Sequence, residues 1–257
     1  HGHQEMSSGY MTLVNEQNRI ILQTGILIHP GDQFIDEANN LYEVTTVEDT
    51  LARCRLIGSE PYTALEAIPT QAPAEATQPL IAVYHTHTDE CYIPSDGKPS
   101  IRGKGSIMYV GEAFCQKLQE LGYQTEHDKT LHDPHDANAY HRSRRTFMRL
   151  LNNGPSALFD IHRDSAPLNT YKTTINGQET TKILLVVGRQ NQNRHTTLNF
   201  AKSLKAAADA KYRGLIRGIF VARGNYNQDL NPRSLLLEIG TQYNHREIAE
   251  RSALLFA

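Results

Sequence analysis

The chain has 257 residues, 39% of them apolar and 21% charged, with a formal net charge of -2. That length can bury a sizeable core, as one large domain or two unequal ones, and the near-neutral balance excludes the electrostatic footprint of a nucleic-acid binder. No apolar run approaches a transmembrane helix, and Cys54, Cys91 and Cys115, without C-x-x-C spacing, exclude a disulfide framework.

The chain opens His1-Gly-His3 with no initiator methionine and reads as a processed form or a fragment, which leaves room for a signal or anchor ahead of it. Residues 9–58 alternate apolar and polar, with breaks at Gly25, Pro30-Gly-Asp32 and Asn39-Asn40. Short strands are predicted at Tyr10–Val14, Ile20–Leu22, Asp32–Ile35, Leu41–Thr45 and Arg53–Ile57, forming a small antiparallel β unit over residues 1–58. His29 reads as a turn residue. Residues 59–79, rich in Pro, Ala, Thr and Glu, read as an extended linker. A catalytic domain over 80–257 is then expected to fold without the small unit.

From residue 80 strands and helices alternate, which predicts a three-layer α/β domain: a sheet of mixed strands with helices on both faces. Leu80–Tyr84 is an apolar strand running into His85-Thr-His-Thr-Asp-Glu90. Apolar Ile107, Val110, Phe114, Leu118 and Leu121 stand at helical spacing over 106–121, closed by Gly122. A short strand at 123–126 precedes a basic helix at 137–152, whose Arg142, Arg144, Arg145 and Arg149 read as a solvated face rather than an anion site. Strands are predicted at 157–162 and 181–187, with a hairpin between them turning at Asn176-Gly177 and placed to wall a cleft. A helix at 194–211, strands at 215–222 and 234–239, and a closing helix at 244–256 complete the chain.

The chemistry lies at strand ends. A buried strand gains nothing in packing by finishing in His-x-His-x-x-Glu, since each such group needs a polar partner. One divalent metal would satisfy several at once, and His87 and Glu90, three apart on a turn, can converge on one zinc ion. The second strand ends Asp160-Ile-His-Arg-Asp164 and the third carries a lone carboxylate in Leu236-Leu-Glu-Ile-Gly240. Ligand sites of open α/β sheets lie beyond the carboxyl ends of the strands, so His87, Glu90, His162 and Glu238 are expected at one edge. Two histidines and a glutamate with one open position make a catalytic zinc set, and Glu238 is the candidate general base. His85 stands as the alternative to His87. Cys91, beside Glu90, is read as pointing away from the site, and Cys115 as a small core residue. Arg223, Asn225 and Arg233, ahead of the third strand, are candidates to polarise a substrate carbonyl, Arg233 being taken as the substrate-binding residue.

Together, His85-Thr-His-Thr-Asp-Glu90, Asp160-Ile-His-Arg-Asp164 and Leu236-Leu-Glu-Ile-Gly240 resemble the stage II sporulation protein P family of endospore-forming bacteria, over roughly residues 80–257. The resemblance implies a zinc-dependent N-acetylmuramoyl-L-alanine amidase with a fold shared with zinc carboxypeptidases. Its ligands would be His87, Glu90 and His162, with Glu238 as base. It implies Zn2+ as cofactor, peptidoglycan as substrate, some cutting of peptide cross-links, and a role in septal wall remodelling during engulfment. It also implies stage II sporulation protein D as a partner, in a membrane-anchored complex outside the cytoplasmic membrane. Two rival readings are a zinc carboxypeptidase or endopeptidase on wall peptides, needing Arg163 or Arg233 for a terminal carboxylate, and a non-catalytic cell-wall-binding module. The second has no use for Glu238.

Overall fold

A computed structural model describes residues 4–60 and 78–257; most of the linker expected at 59–79 lies outside them. The N-terminal part holds β1 (Met11–Val14), β2 (Ile20–Thr24), β3 (Gln33–Ile35), β4 (Asn40–Glu48) and β5 (Leu51–Ser59). After β6 (Leu80–Tyr84) come α1 (Ile93–Asp96), α2 (Ile107–Glu120), β7 (Gln124–His127), α3 (Ala139–Leu151) and β8 (Ala157–Asp164). The hairpin β9 (Lys172–Ile175) and β10 (Gln178–Thr181) leads to β11 (Ile183–Gly188) and α4 (Arg194–Lys211). The chain closes with β12 (Ile216–Ala222), β13 (Ser234–Thr241) and α5 (Arg246–Phe256). Among the described residues no helix is long and apolar enough to cross a membrane.

Local chemistry accounts for several boundaries. Gly122, at φ +92°, takes the left-handed position just after α2, while the Tyr123 amide donates back to the Leu118 carbonyl. Asn176 and Gly177 both have positive φ and close the β9–β10 hairpin as a two-residue turn, with Ile175 opposite Gln178. The short α1, with Pro94 in its first turn, was not expected from the sequence.

Eleven strands form one sheet in the order β2-β1-β5-β4-β3-β12-β11-β13-β8-β6-β7. The centre is mixed: β8 runs parallel to both β6 and β13, and β11 is parallel to β12 but antiparallel to β13. The N-terminal strands pair mostly antiparallel, but β1 and β5 are parallel. Their junction with the rest is the antiparallel pairing of β3 with β12, with Phe34 opposite Phe220, a join that the sequence reading does not anticipate.

Alternation along the central strands sorts side chains to two faces. Leu185 and Val187 of β11, Phe159 and Ile161 of β8, and Leu235, Leu237 and Ile239 of β13 pack in a cluster with residues of α2, α4 and α5. On the opposite face, Ala82, Tyr84 and Leu158 pack on Phe147 and Leu150 of α3. Farther along that same face, Leu184, Val186, Phe220 and Leu236 share a cluster with Met11, Leu13, Leu22 and Phe34 of the N-terminal strands. All eight residues of β8 and of β13 are buried, so any polar group on them must find a partner inside the protein.

Candidate metal centre and active site

Asp160 and His162 of β8 and Glu238 of β13 alternate with the residues facing α2, α4 and α5, which puts all three on the other face. In the parallel β8–β13 ladder, Glu238 pairs directly with His162. The register then slips between Glu238 and Thr241, where Gly240 takes φ +71°; such a bulge re-aims side chains at a strand end. From the neighbouring β6, residues 85–92 run on as a wholly buried turn segment. Within it the Glu90 amide reaches the His87 carbonyl at 3.5 Å, bringing the two side chains to one side.

Glu90 is the hub. Its Oε1 lies 3.4 Å from His87 Nδ1 and 3.5 Å from His162 Nδ1, and its Oε2 accepts the Arg163 amide at 2.9 Å. Four ligands bound at about 2.0–2.2 Å in a tetrahedron stand about 3.3–3.6 Å apart, so each separation by itself suits two atoms on one cation. His162 Nε2 lies 2.8 Å from Asp160 Oδ1 as a close charge contact, and Asp160 is itself held by the amide and hydroxyl of Thr86 at 2.8 and 2.6 Å. That carboxylate fixes the imidazole so that Nδ1 faces Glu90, the orientation seen in carboxylate–histidine–metal triads.

Two further side chains join the centre. Glu5 Oε1 lies 3.2 Å from His87 Nδ1, and His135 stacks on the His87 ring at 3.7 Å between centroids. One ligand atom from each of Glu5, His87, Glu90 and His135 all lie within 4.8 Å of one another, as do those of Glu5, His162 and Glu238; Glu5 is common to both groups, and His162 falls outside the one that holds His87 and Glu90. The buried atoms Glu5 Oε1, His87 Nδ1, Glu238 Oε2 and both ring nitrogens of His162 have no hydrogen-bond partner. Buried polar atoms left this way are costly, and a cation would answer the cost for His87 Nδ1, His162 Nδ1 and the Glu5 oxygen. The donor set of imidazole nitrogen and carboxylate oxygen fits zinc.

The electrostatics are strongly coupled. Burial disfavours charge on His162, yet the carboxylates of Asp160 and Glu90 outweigh it and raise its pKa well above the usual histidine value. Burial likewise opposes the Glu90 charge, but His162 and Arg163 prevail and hold it well below the usual carboxylate range. Glu238 goes the other way: burial first, then the neighbouring Asp164 charge, push its carboxyl well up.

His85 lies apart from this set. Its Nδ1 meets the Ile161 carbonyl at 2.7 Å and its Nε2 meets His127 Nε2 at 2.8 Å, so neither nitrogen is free. Gly111 of α2 leaves room for that pair, since a Cβ there would fall 2.7 Å from His85 Nε2. Cys91 is buried, its thiol directed to the Lys104 carbonyl and pushed up by burial, which suits packing rather than ligation.

The structure does not bring Arg233 to the centre. It precedes β13 and is exposed, whereas Glu238 lies five residues along, about 16 Å at strand rise. Arg163 is near but committed, its guanidinium donating to the carbonyls of Cys91 and Pro99 at 3.1 and 2.7 Å. Asn225 lines a separate pocket with Arg144 and Asp229. On α3, Arg142 and Arg144 pair with Asp136 and Asp229 at 2.6 Å, and Arg149 pairs with Asp128.

A cleft of about 480 Å³ opens at the centre, lined by His87, Asp89, Ser100, Tyr140 and Gln242 and walled by residues 4–9. The β9–β10 hairpin does not line it; Tyr171, just ahead of β9, instead donates its hydroxyl to Asp164 at 2.7 Å. The sequence reading passed over Glu5, His135 and Asp160. Only Asp160 carried a signal, standing two residues before His162 and so on the same strand face.

A sequence model of stage II sporulation protein P matches residues 30–257. The chain belongs to that family. It is 31% identical over 193 residues to stage II sporulation protein P of Bacillus subtilis strain 168, an alignment covering 68% of this chain and 48% of that protein. The chain thus spans about half the length of the curated relative it matches. Among solved structures, it is similar to the CwlD amidase of Clostridioides difficile, determined in complex with the GerS lipoprotein, with 11% identity and a TM-score of 0.44 over 70% of this chain and 94% of that one. The N-acetylmuramyl-L-alanine amidase Ami1 of Mycobacterium smegmatis matches at 13% identity and TM-score 0.43, covering 69% and 94%. At these scores the likeness does not bear on the site residues.

Proposed function

We propose that this chain is a zinc-dependent N-acetylmuramoyl-L-alanine amidase, cleaving the amide between N-acetylmuramic acid and the stem peptide of peptidoglycan during sporulation. The observation that carries the reading is the placement of Glu90 Oε1 at 3.4 and 3.5 Å from two otherwise unpartnered imidazole nitrogens, with the Glu238 carboxylate on the strand beside them. Membership of the family supports the sporulation setting. An anchored assembly with stage II sporulation protein D and occasional cutting of cross-links belong to the same proposal.

His87, Glu90 and His162 would hold the zinc ion, which when bound supplies Lewis acidity towards water and the scissile carbonyl. Asp160 keeps His162 turned so that Nδ1 faces the centre, and the Arg163 amide keeps Glu90 from swinging away. Glu238 takes a proton from the attacking water and returns it to the leaving amine, one carboxyl serving as base and then acid. Arg163 is committed to two carbonyls and Arg233 stands at a distance, so neither arginine named for the carboxypeptidase reading is placed for a terminal carboxylate. Metal analysis of the purified chain followed by mass spectrometry of digested peptidoglycan tests the proposal. Free, full-length stem peptides are expected; shortened peptides still attached to glycan would overturn the amidase assignment.

A further inference from the structure

Glu5 lies far from the centre in sequence and on a segment that β1–β5 do not include, yet its carboxylate enters the same cluster. Glu5 Oε1 is 3.2 Å from His87 Nδ1, beside the Glu90 separations of 3.4 and 3.5 Å. Its ligand atom also lies within 4.8 Å of those of His162 and Glu238. The two Glu90 separations match a tetrahedral edge at zinc bond lengths, and the Glu5 one is slightly shorter. Three protein ligands leave a catalytic zinc one position for water and substrate, and Glu5, common to both groups of neighbouring ligand atoms, would compete for it.

The delivery of Glu5 is specific but lightly built. The Met6 amide donates to the Gly25 carbonyl at 2.8 Å and the Leu27 amide to the Gln4 carbonyl at 2.9 Å, with Glu5 bridged to Ile26 between them. Gly25 is in turn tied to the end of β8, its amide donating to Asp164 Oδ1 at 2.7 Å. The far oxygen of Glu5 meets His135 Nε2 at 3.4 Å, and Asp89 holds the other nitrogen of that ring at 3.1 Å. Beyond Met6, residues 7–9 are exposed, with a Ser165 hydroxyl bond to the Gly9 carbonyl at 3.3 Å. Met6 packs on the cluster of the N-terminal strands, but a short segment outside the sheet ladders opens far more readily than the core strands unfold.

Resting on the metal-centre reading above, we propose that residues 4–9 are an intramolecular plug, with the Glu5 carboxylate competing for the coordination position that substrate needs. The chain is then self-blocked, and anything that draws this segment off Gly25–Leu27 opens the site. A segment closed ninety to ninety-nine per cent of the time weakens apparent binding of an incoming ligand by about ten- to a hundred-fold.

The test replaces zinc with Co2+ in the full chain and follows its visible spectrum during titration with acetohydroxamate, a small chelator for an open vertex. Glu5→Gln should bind acetohydroxamate at least about tenfold more tightly than the parent chain, while retaining Co2+. Met6→Pro removes the amide that clips the segment to Gly25 without touching the carboxylate, and should move the affinity in the same direction. Equal acetohydroxamate affinity in parent and both variants, with Co2+ bound throughout, would overturn the plug alone. Loss of Co2+ from Glu5→Gln would make Glu5 a permanent ligand and also overturn it. Failure of every chain, parent included, to take up Co2+ or zinc would remove the plug together with the reading beneath it.

Discussion

Glu238 pairs with His162 across the parallel ladder of β8 and β13, on the sheet face opposite α2, α4 and α5. The imidazole proposed to hold metal and the carboxyl proposed to move the proton are therefore neighbours by strand register, so a shift of one strand by a single residue would send one of them to the far face. Their separate tasks can be told apart. Glu238→Gln should keep its zinc, because a base need not hold the metal, while release of stem peptides falls roughly 10²–10⁴-fold. Zinc content and peptide release measured on the same preparation check this, and near-normal release would remove Glu238 from the mechanism.

Asp160 should matter through His162. Asp160→Asn removes the carboxylate charge that lies 2.8 Å from His162 Nε2, and loss of such a partner typically costs about 10–100-fold in metal affinity. A competitive zinc titration against a chromophoric chelator reads it directly. In the same assay His87→Ala and His162→Ala should lose the metal, while His85→Ala should retain most of it, since both His85 nitrogens are already engaged by Ile161 and His127.

Asp32 gives a pH signature away from the centre. Burial, opposed by the His29 amide and Arg189, leaves its pKa raised from 3.8 to about 6. A carboxyl raised in the folded state contributes stability below its unfolded pKa and loses it as pH rises through the folded value. At about 1.4 kcal/mol per tenfold change, the loss amounts to about 2 kcal/mol between pH 4 and 6. Asp32→Asn should flatten that part of the denaturation profile; an unchanged difference between urea midpoints at the two pH values would show that Asp32 does not titrate there.

Removal of residues 1–58 should be damaging, against the expectation drawn from the sequence patterns. It would uncover Leu184, Val186, Phe220 and Leu236, leave the β12 edge unpaired, and strip Asp164 of its bonds to Thr24 and Gly25. The fragment 80–257 should be poorly soluble and should lose metal. A soluble, zinc-loaded fragment would show that the N-terminal strands are dispensable to the core.

What the sequence by itself determined is the chemistry at the strand ends. Buried apolar runs that stop at histidine and glutamate are legible because burial makes an unpartnered polar group costly, and Gly122 and Asn176-Gly177 are legible because few residues accept positive φ. Only the tertiary structure decided which groups meet. The β3–β12 pairing rests on backbone amides and carbonyls that every residue carries, so no pattern announces it. Glu5 comes to His87 through its bridge to Ile26, and His135 through the loop ahead of α3, where sequence separation says nothing about distance. Arg233, close to Glu238 along the chain, is carried away by the extended rise of β13: the same strand geometry that aligns Glu238 with His162 removes its neighbour from the site.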